Sequence, residues 1–222
     1  MAAMEVRTPL FFVLWNDVRF TQSGGAGRIA DRLLQHKQLC TVPVVQNTQF
    51  EVLPTLIVPA LYRSTIKTIP FVPVKEGALS IYPFDGVGVY HTEKFTNLTG
   101  YDPEIRSSYW QLMDFGFRAY LWGEKITASQ LVKVVYDGNL APQDTSMHPD
   151  YRRFYLKNIA PVFRGDTAHL PWRRCIPYLF KSGEGVKQAW NHFRQVRDWV
   201  ELYKFRFRLD ARQLTELWED EA

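Results

Sequence analysis

A few residues in this chain have the types and spacing for chemistry. Asp17 follows the apolar run Pro9–Trp15. An acid at the C-terminal end of a buried strand lies where open α/β sheets place their ligands. Its carboxylate offers a hard oxygen to Mg²⁺ or Mn²⁺, or else caps a turn or helix. Asp85 sits in PFDGVGVY, where Gly86 and Gly88 permit close approach of a ligand or special turn dihedrals. Asp114 and Arg118, four residues apart, share one helical face. They pair with each other, or Asp114 takes a proton from an attacking hydroxyl. His169 stands beside Arg164, Arg173 and Arg174 in a stretch suited either to gripping a diphosphate or to a solvated loop.

The elements that must position these groups follow from periodicity. Pro9–Trp15 reads as a short buried strand, RIADRLLQHKQL as a helix with Ile29, Leu33 and Leu34 on one face, and CTVPVVQ as a strand. Pro43 predicts an edge or terminal position for that strand. Pro54, Pro59, Pro70 and Pro73 predict extended pieces and turns. Ala78–Tyr82 and Val87–Tyr90 read as strands around a turn, and Thr92–Leu98 as a short helix. Tyr109–Gly123 reads as a helix with Trp110, Met113, Phe117 and Leu121 on its apolar side. Ser129–Val135 is regular but of undecided type, and Tyr136–Pro149 predicts a mobile loop. Asp150–Ile159 reads as helical, Val186–Trp199 as an amphipathic helix, and the alternating YKFRFRLD as extended. The end of the chain reads as a short helix with an acidic tail. These elements give an α/β class: a mixed sheet flanked by helices, with a helical C-terminal region, organised as residues 1–135 and a mostly helical extension over 136–222.

Composition narrows the function classes. With 27 Lys and Arg against 23 acids and a net charge of +4, the signs are mixed, which excludes the dense basic footprint of a nucleic-acid binder and suits an acidic ligand such as a diphosphate. Aromatic residues make up 15% of the chain, enough for an aromatic-packed core or for a surface that stacks on sugars. Cys40 and Cys175 are too sparse for a disulfide framework and point to a reducing, cytoplasmic setting. The run PLFFVLW is too short for a transmembrane segment.

The segment Tyr82–Glu124 resembles the acceptor-side half of an inverting family 2 glycosyltransferase of GT-A fold. That family has a metal-binding Asp-x-Asp at a strand end; here Trp15-Asn16-Asp17 stands there, and only Asp17 matches. Gly86-Val87-Gly88 matches a glycine turn. Thr99-Gly100-Tyr101-Asp102 matches a Gly-Gly-aromatic-Asp motif with Thr99 in place of the first glycine. Trp110 through Arg118, with Gly123 beyond, matches the tryptophan-led acidic helix, but Gln111 and Leu112 replace its Glu-Asp pair. Asp114 is the next acidic position and the substitute base.

The resemblance implies transfer of a sugar from a nucleoside-diphosphate sugar to a carbohydrate or lipid-linked hydroxyl acceptor, with Mn²⁺ or Mg²⁺ as cofactor. Asp17 and His169 would hold the metal, and Asp17, Asp85, Arg173 and Arg174 the donor diphosphate. Gly86, Gly88, Gly100, Tyr101, Trp110 and Arg118 would form the acceptor side. The family's nucleotide-binding βαβ half precedes its metal strand and has no counterpart here, which implies N-terminal truncation, with a protein partner or self-association covering the missing half. Two alternatives stay open. One is a non-catalytic binding or assembly subunit on the same scaffold. The other is an unrelated α/β domain with a nucleotide near residues 16–27.

Overall fold

The computed structural model describes residues 5–21, 25–62, 65–138, 143–146, 149–183 and 185–221. Within SGGAG, Ser23 and Gly24 lie outside these residues, as do 139–142 and 147–148 of the expected mobile loop. The chain forms two compact units: Met1–Gly100 with Glu124–Pro142, and Tyr101–Gly123 with Gln143–Ala222.

The first unit is built on a mixed five-stranded sheet. Its strands are β1 (Leu10–Val13), β2 (Val18–Phe20), β3 (Cys40–Gln46), β6 (Gly88–His91) and β7 (Ile126–Tyr136), in the order β1-β6-β3-β7-β2. Only the β3–β7 pair is parallel. Successive side chains of a strand point to opposite faces, and Phe11 and Phe12 show it. Phe11 stacks on Tyr90 and meets Phe95 of the helix α2 (Thr92–Asn97) edge-on. Phe12 packs with Ile29 and Leu33 of the helix α1 (Ala26–His36), together with Val89 and Val132. The four-residue spacing of Ile29 and Leu33 thus seats α1 on one face while α2 covers the other.

Pro43 does not lie at an edge or a strand end. β3 is the central strand. Its pairing with β6 covers only Cys40 and Thr41, and its register with β7 jumps at Pro43/Val44, from Ser129 to Lys133. The missing N–H therefore falls where the ladder is already interrupted. The prolines of residues 50–73 sit in and around a separate hairpin of β4 (Leu56–Tyr62) and β5 (Thr65–Phe71), where each strand has a single ladder partner. Ala78–Tyr82 is not a strand: Leu79 makes an isolated bridge to Thr127, and bends follow at Ile81 and Tyr82.

The second unit is mostly helical: α3 (Ser108–Leu121), α4 (Pro149–Phe154) running into a π-helical turn (Tyr155–Ile159), α5 (Cys175–Lys181), α6 (Val186–Tyr203) and α7 (Ala211–Glu221). A small hairpin of β8 (Val162–Arg164) and β9 (Thr167–His169) completes it. α6 turns Ala189, Phe193, Val196 and Val200 into a core with Leu156, Leu170 and Tyr178. Val186 and Trp190, at the same helical spacing, are exposed. YKFRFRLD is not extended: α6 runs through Tyr203 and a 3₁₀ turn follows over Lys204–Arg206. Arg206 lies over the Trp122 ring and Phe207 is buried, so the alternation serves a helix end. α3 is buried on all sides from Tyr109 to Leu121 except at Gln111, rather than along one stripe.

Candidate functional site

In the first unit, β1 ends in the turn that carries Asp17, with the Val18 amide donating to Trp15 O at 3.1 Å. The Asp137 amide, just past β7, donates to Asp17 O at 2.9 Å. The Asp17 carboxylate is hydrogen-bonded by the Tyr136 hydroxyl from the same end of β7. Its Oδ1 is buried with no hydrogen-bond partner among the described residues. Asp85 faces it from the 3₁₀ turn Phe84–Gly86, at φ 51°, a left-handed conformation that side chains rarely adopt. Side chains brace this turn: Trp15 Nε1 donates to Asp85 O at 2.8 Å, and Tyr90 Oη donates to Gly86 O at 2.7 Å. Burial and then the Asp17 charge raise the Asp85 carboxyl above its ordinary range. Partial desolvation and the two carboxylates likewise raise the Tyr136 hydroxyl.

Trp15 stands where a second acid would complete an Asp-x-Asp, and it braces the backbone of Asp85. Gly88 serves close packing: a Cβ there would meet Cys40 Sγ at 2.6 Å. Gly100 ends the first unit at φ 61°, against Phe95. Tyr136 and Trp15 carry no site role in the sequence reading. The sole sequence signal for Tyr136 is its place at the end of an apolar stretch.

In the second unit, Asp114 is 0% exposed. It receives Arg118 Nη2 at 2.9 Å, Asn158 Nδ2 at 2.8 Å and Lys157 Nζ at 2.9 Å. Lys157 Nζ also reaches Asp102 Oδ2 at 2.7 Å, and Arg153 Nε meets the same oxygen at 2.8 Å. The π-helical turn sets Lys157 and Asn158 side by side toward α3. Burial alone would raise both carboxyls. The Lys157 charge, aided at Asp114 by Arg118 and at Asp102 by Arg153, outweighs burial and holds both below the usual range. Burial lowers the Lys157 ammonium, with the two carboxylates opposing that shift. Three cations share two carboxylates, which agrees with the lysine being the strained partner.

The acid–base pair at four-residue spacing is therefore formed, inside the unit rather than on its surface. Trp110, 2% exposed, donates from Nε1 to Ser146 O at 2.8 Å and packs against Tyr151 and Phe154. Tyr101 is half-buried against Phe115. His169 and Arg173 are exposed, and Arg174 donates to Tyr155 Oη at 3.2 Å. Among the described residues no group of three or more His, Cys, Asp or Glu is placed to hold a metal, and no helix is long and apolar enough to cross a membrane.

No protein-family profile and no curated protein matches the chain. Among solved structures, the crystal structure of GalNAc-T7 with UDP, GalNAc and Mn²⁺ is similar at a TM-score of 0.55 and 14% identity. The fold is GT-A-like. The likeness covers 91% of this chain and 42% of GalNAc-T7, so the chain spans less than half the length of that protein. At this identity the likeness bears on fold.

Proposed function

We propose that the chain binds a nucleoside-diphosphate sugar at the Asp17–Asp85 end of the sheet and transfers the sugar to a hydroxyl acceptor. The observation that carries this reading is the unpartnered, buried Asp17 Oδ1 facing a second carboxylate at the end of β1, in a GT-A-like fold. The fit to a divalent cation is good on chemistry. Mg²⁺ and Mn²⁺ accept one or two protein carboxylates, with phosphate oxygens and water filling the remaining positions. Asp17 and Asp85 would hold the ion, and an ion so held offsets the charge of the leaving diphosphate. Tyr136 keeps Asp17 oriented, and Trp15 fixes the backbone of Asp85. Gly86, Gly88 and Gly100 of the same unit are proposed for the acceptor side.

A second reading, a non-catalytic binding or assembly subunit, is favoured by the surroundings of Asp114. A base needs a free lone pair directed at the acceptor, and this carboxylate is enclosed by Arg118, Lys157 and Asn158. Calorimetric titration with UDP-, GDP- and dTDP-sugars in the presence and absence of Mn²⁺ decides between them. Metal-dependent binding that disappears in Asp17→Ala, together with product formation, supports transfer. Binding without turnover supports the subunit reading. Binding that ignores Asp17 removes the transfer reading.

A further inference from the structure

The second unit carries an exposed apolar face for which sugar transfer has no use. α5 continues the short turn Trp172–Arg174, and Trp172, Ile176 and Phe180 recur at four-residue spacing. Ile176 is 63% and Phe180 85% exposed. The face extends onto α6. There Val186 is 70% exposed, and Trp190 stacks on Trp172 with ring centroids 5.5 Å apart. Arg197 lies over the other aromatic partner of that stack, 4.4 Å from the Trp172 ring centre. Large apolar side chains exposed side by side mark an interaction surface rather than ordinary scatter.

The charges around this face select its partner. Residues 172–181 and 186–197 contain no Asp or Glu. Glu184, in the link between them, lies outside the described residues. Arg173, Lys187 and Arg194 are exposed around the apolar residues, with Lys187, Trp190, Arg194 and Arg197 along one side of α6. The acids of α6, Asp198 and Glu201, follow on the same side one and two turns after Arg194, and Glu201 is paired with Lys204. A chain of mixed charge thus places a basic rim around its exposed tryptophans, isoleucine and phenylalanine. Apolar side chains that enter the acyl boundary, tryptophans at headgroup level and a basic surround together form the signature of an interfacial helix.

We propose that the α5–α6 face docks on an anionic lipid surface, with Ile176 and Phe180 inserted and Lys187 and Arg194 on the headgroups. This proposal rests on the second unit alone and stands whether or not the chain transfers sugar. The test is co-sedimentation of the full chain with vesicles of phosphatidylcholine alone and of phosphatidylcholine with phosphatidylglycerol. Binding to the anionic vesicles is expected at low salt, with a loss of at least about tenfold near 1 M salt, where the screening length falls to about 3 Å. The Ile176→Ser/Phe180→Ser double variant should lose vesicle binding, and Lys187→Gln/Arg194→Gln should weaken it at least about threefold, since each basic residue near such a surface contributes on its own. Both pairs are exposed, and thermal melts matching the wild type show that folding is retained. Absence of sedimentation, equal sedimentation with neutral vesicles, or full binding by Ile176→Ser/Phe180→Ser overturns the proposal. So does a concentration-dependent dimer abolished by that variant without vesicle binding, which assigns the face to a second copy of the chain.

Discussion

Asp114 and Asp17 are both carboxylates whose types and spacing suit chemistry, and their surroundings are opposite. Asp114 is enclosed by donors on both oxygens, and its carboxyl is held low. Asp17 leaves one buried oxygen without a partner among the described residues and pushes the neighbouring Asp85 carboxyl up. A saturated buried ion network fixes architecture, because removal of one member strands the others in low dielectric. An under-satisfied acidic pair raises the local cost of negative charge, which an incoming cation relieves. The first arrangement supports the fold and the second has capacity for a ligand.

The sharpest way to break this contrast is Asp114→Asn. It removes the carboxylate between Arg118 and Lys157, leaves Lys157 with Asp102 alone, and should cost about 3–5 kcal/mol of stability in denaturant unfolding. A loss under about 1 kcal/mol would remove the architectural role. Asp17→Asn should do the reverse: stability near that of the wild type, with Mn²⁺-dependent nucleotide binding weakened at least about tenfold, or about 1.4 kcal/mol, by calorimetry. Equal damage to stability from both variants would erase the distinction.

Acid separates the two regions further. Asp102 and Asp114 have folded pKa values below the ordinary 3.8, so their stabilisation is complete above that pH and is lost as pH falls below it toward their folded values. Asp85 has a folded pKa above 3.8, so its ionisation opposes folding at neutral pH, and that penalty is relieved as pH falls from its folded value toward 3.8. An NMR carboxyl titration should find Asp85 titrating above 3.8 and moving down in Asp17→Asn. An Asp85 that does not move leaves the two acids uncoupled. The smallest effect belongs to the exposed Arg19–Asp137 ion pair, where Arg19→Ala should change stability by no more than about 1 kcal/mol.

Much of the first unit was legible from local pattern. CTVPVVQ is β3 from end to end, and Ile29 with Leu33 gave α1 and its buried face. The centrality of β3 was not legible, because Pro43 is tolerated only through a register jump on β7 that lies far away in sequence. YKFRFRLD misled because alternation of aromatic and basic residues over so short a stretch fits a helix end as well as a strand. The spacing of Asp114 and Arg118 gave their pairing but not its depth. That depth depends on Lys157 and Asn158, polar residues in a short helical stretch whose pattern resembles a solvated face. The GT-A resemblance pointed to the fold, while Trp15 and Tyr136 at the acidic pair emerged from strand ends brought together by the sheet.

The path of the chain has a consequence for dissecting the molecule. It leaves the sheet after Gly100, builds α3 in the other unit, and returns at Glu124 to lay down β7. β7 is the partner along which β3 pairs from Cys40 to Gln46, whereas β6 holds only two of those residues. A polypeptide stopped before Glu124 would therefore keep every residue of β1, β3 and β6 yet lose the long ladder beside β3, exposing the edge of its central strand. Limited proteolysis or gene truncation that aims to isolate the acidic pair must keep the returning strand, whether on one polypeptide or as a complementing fragment.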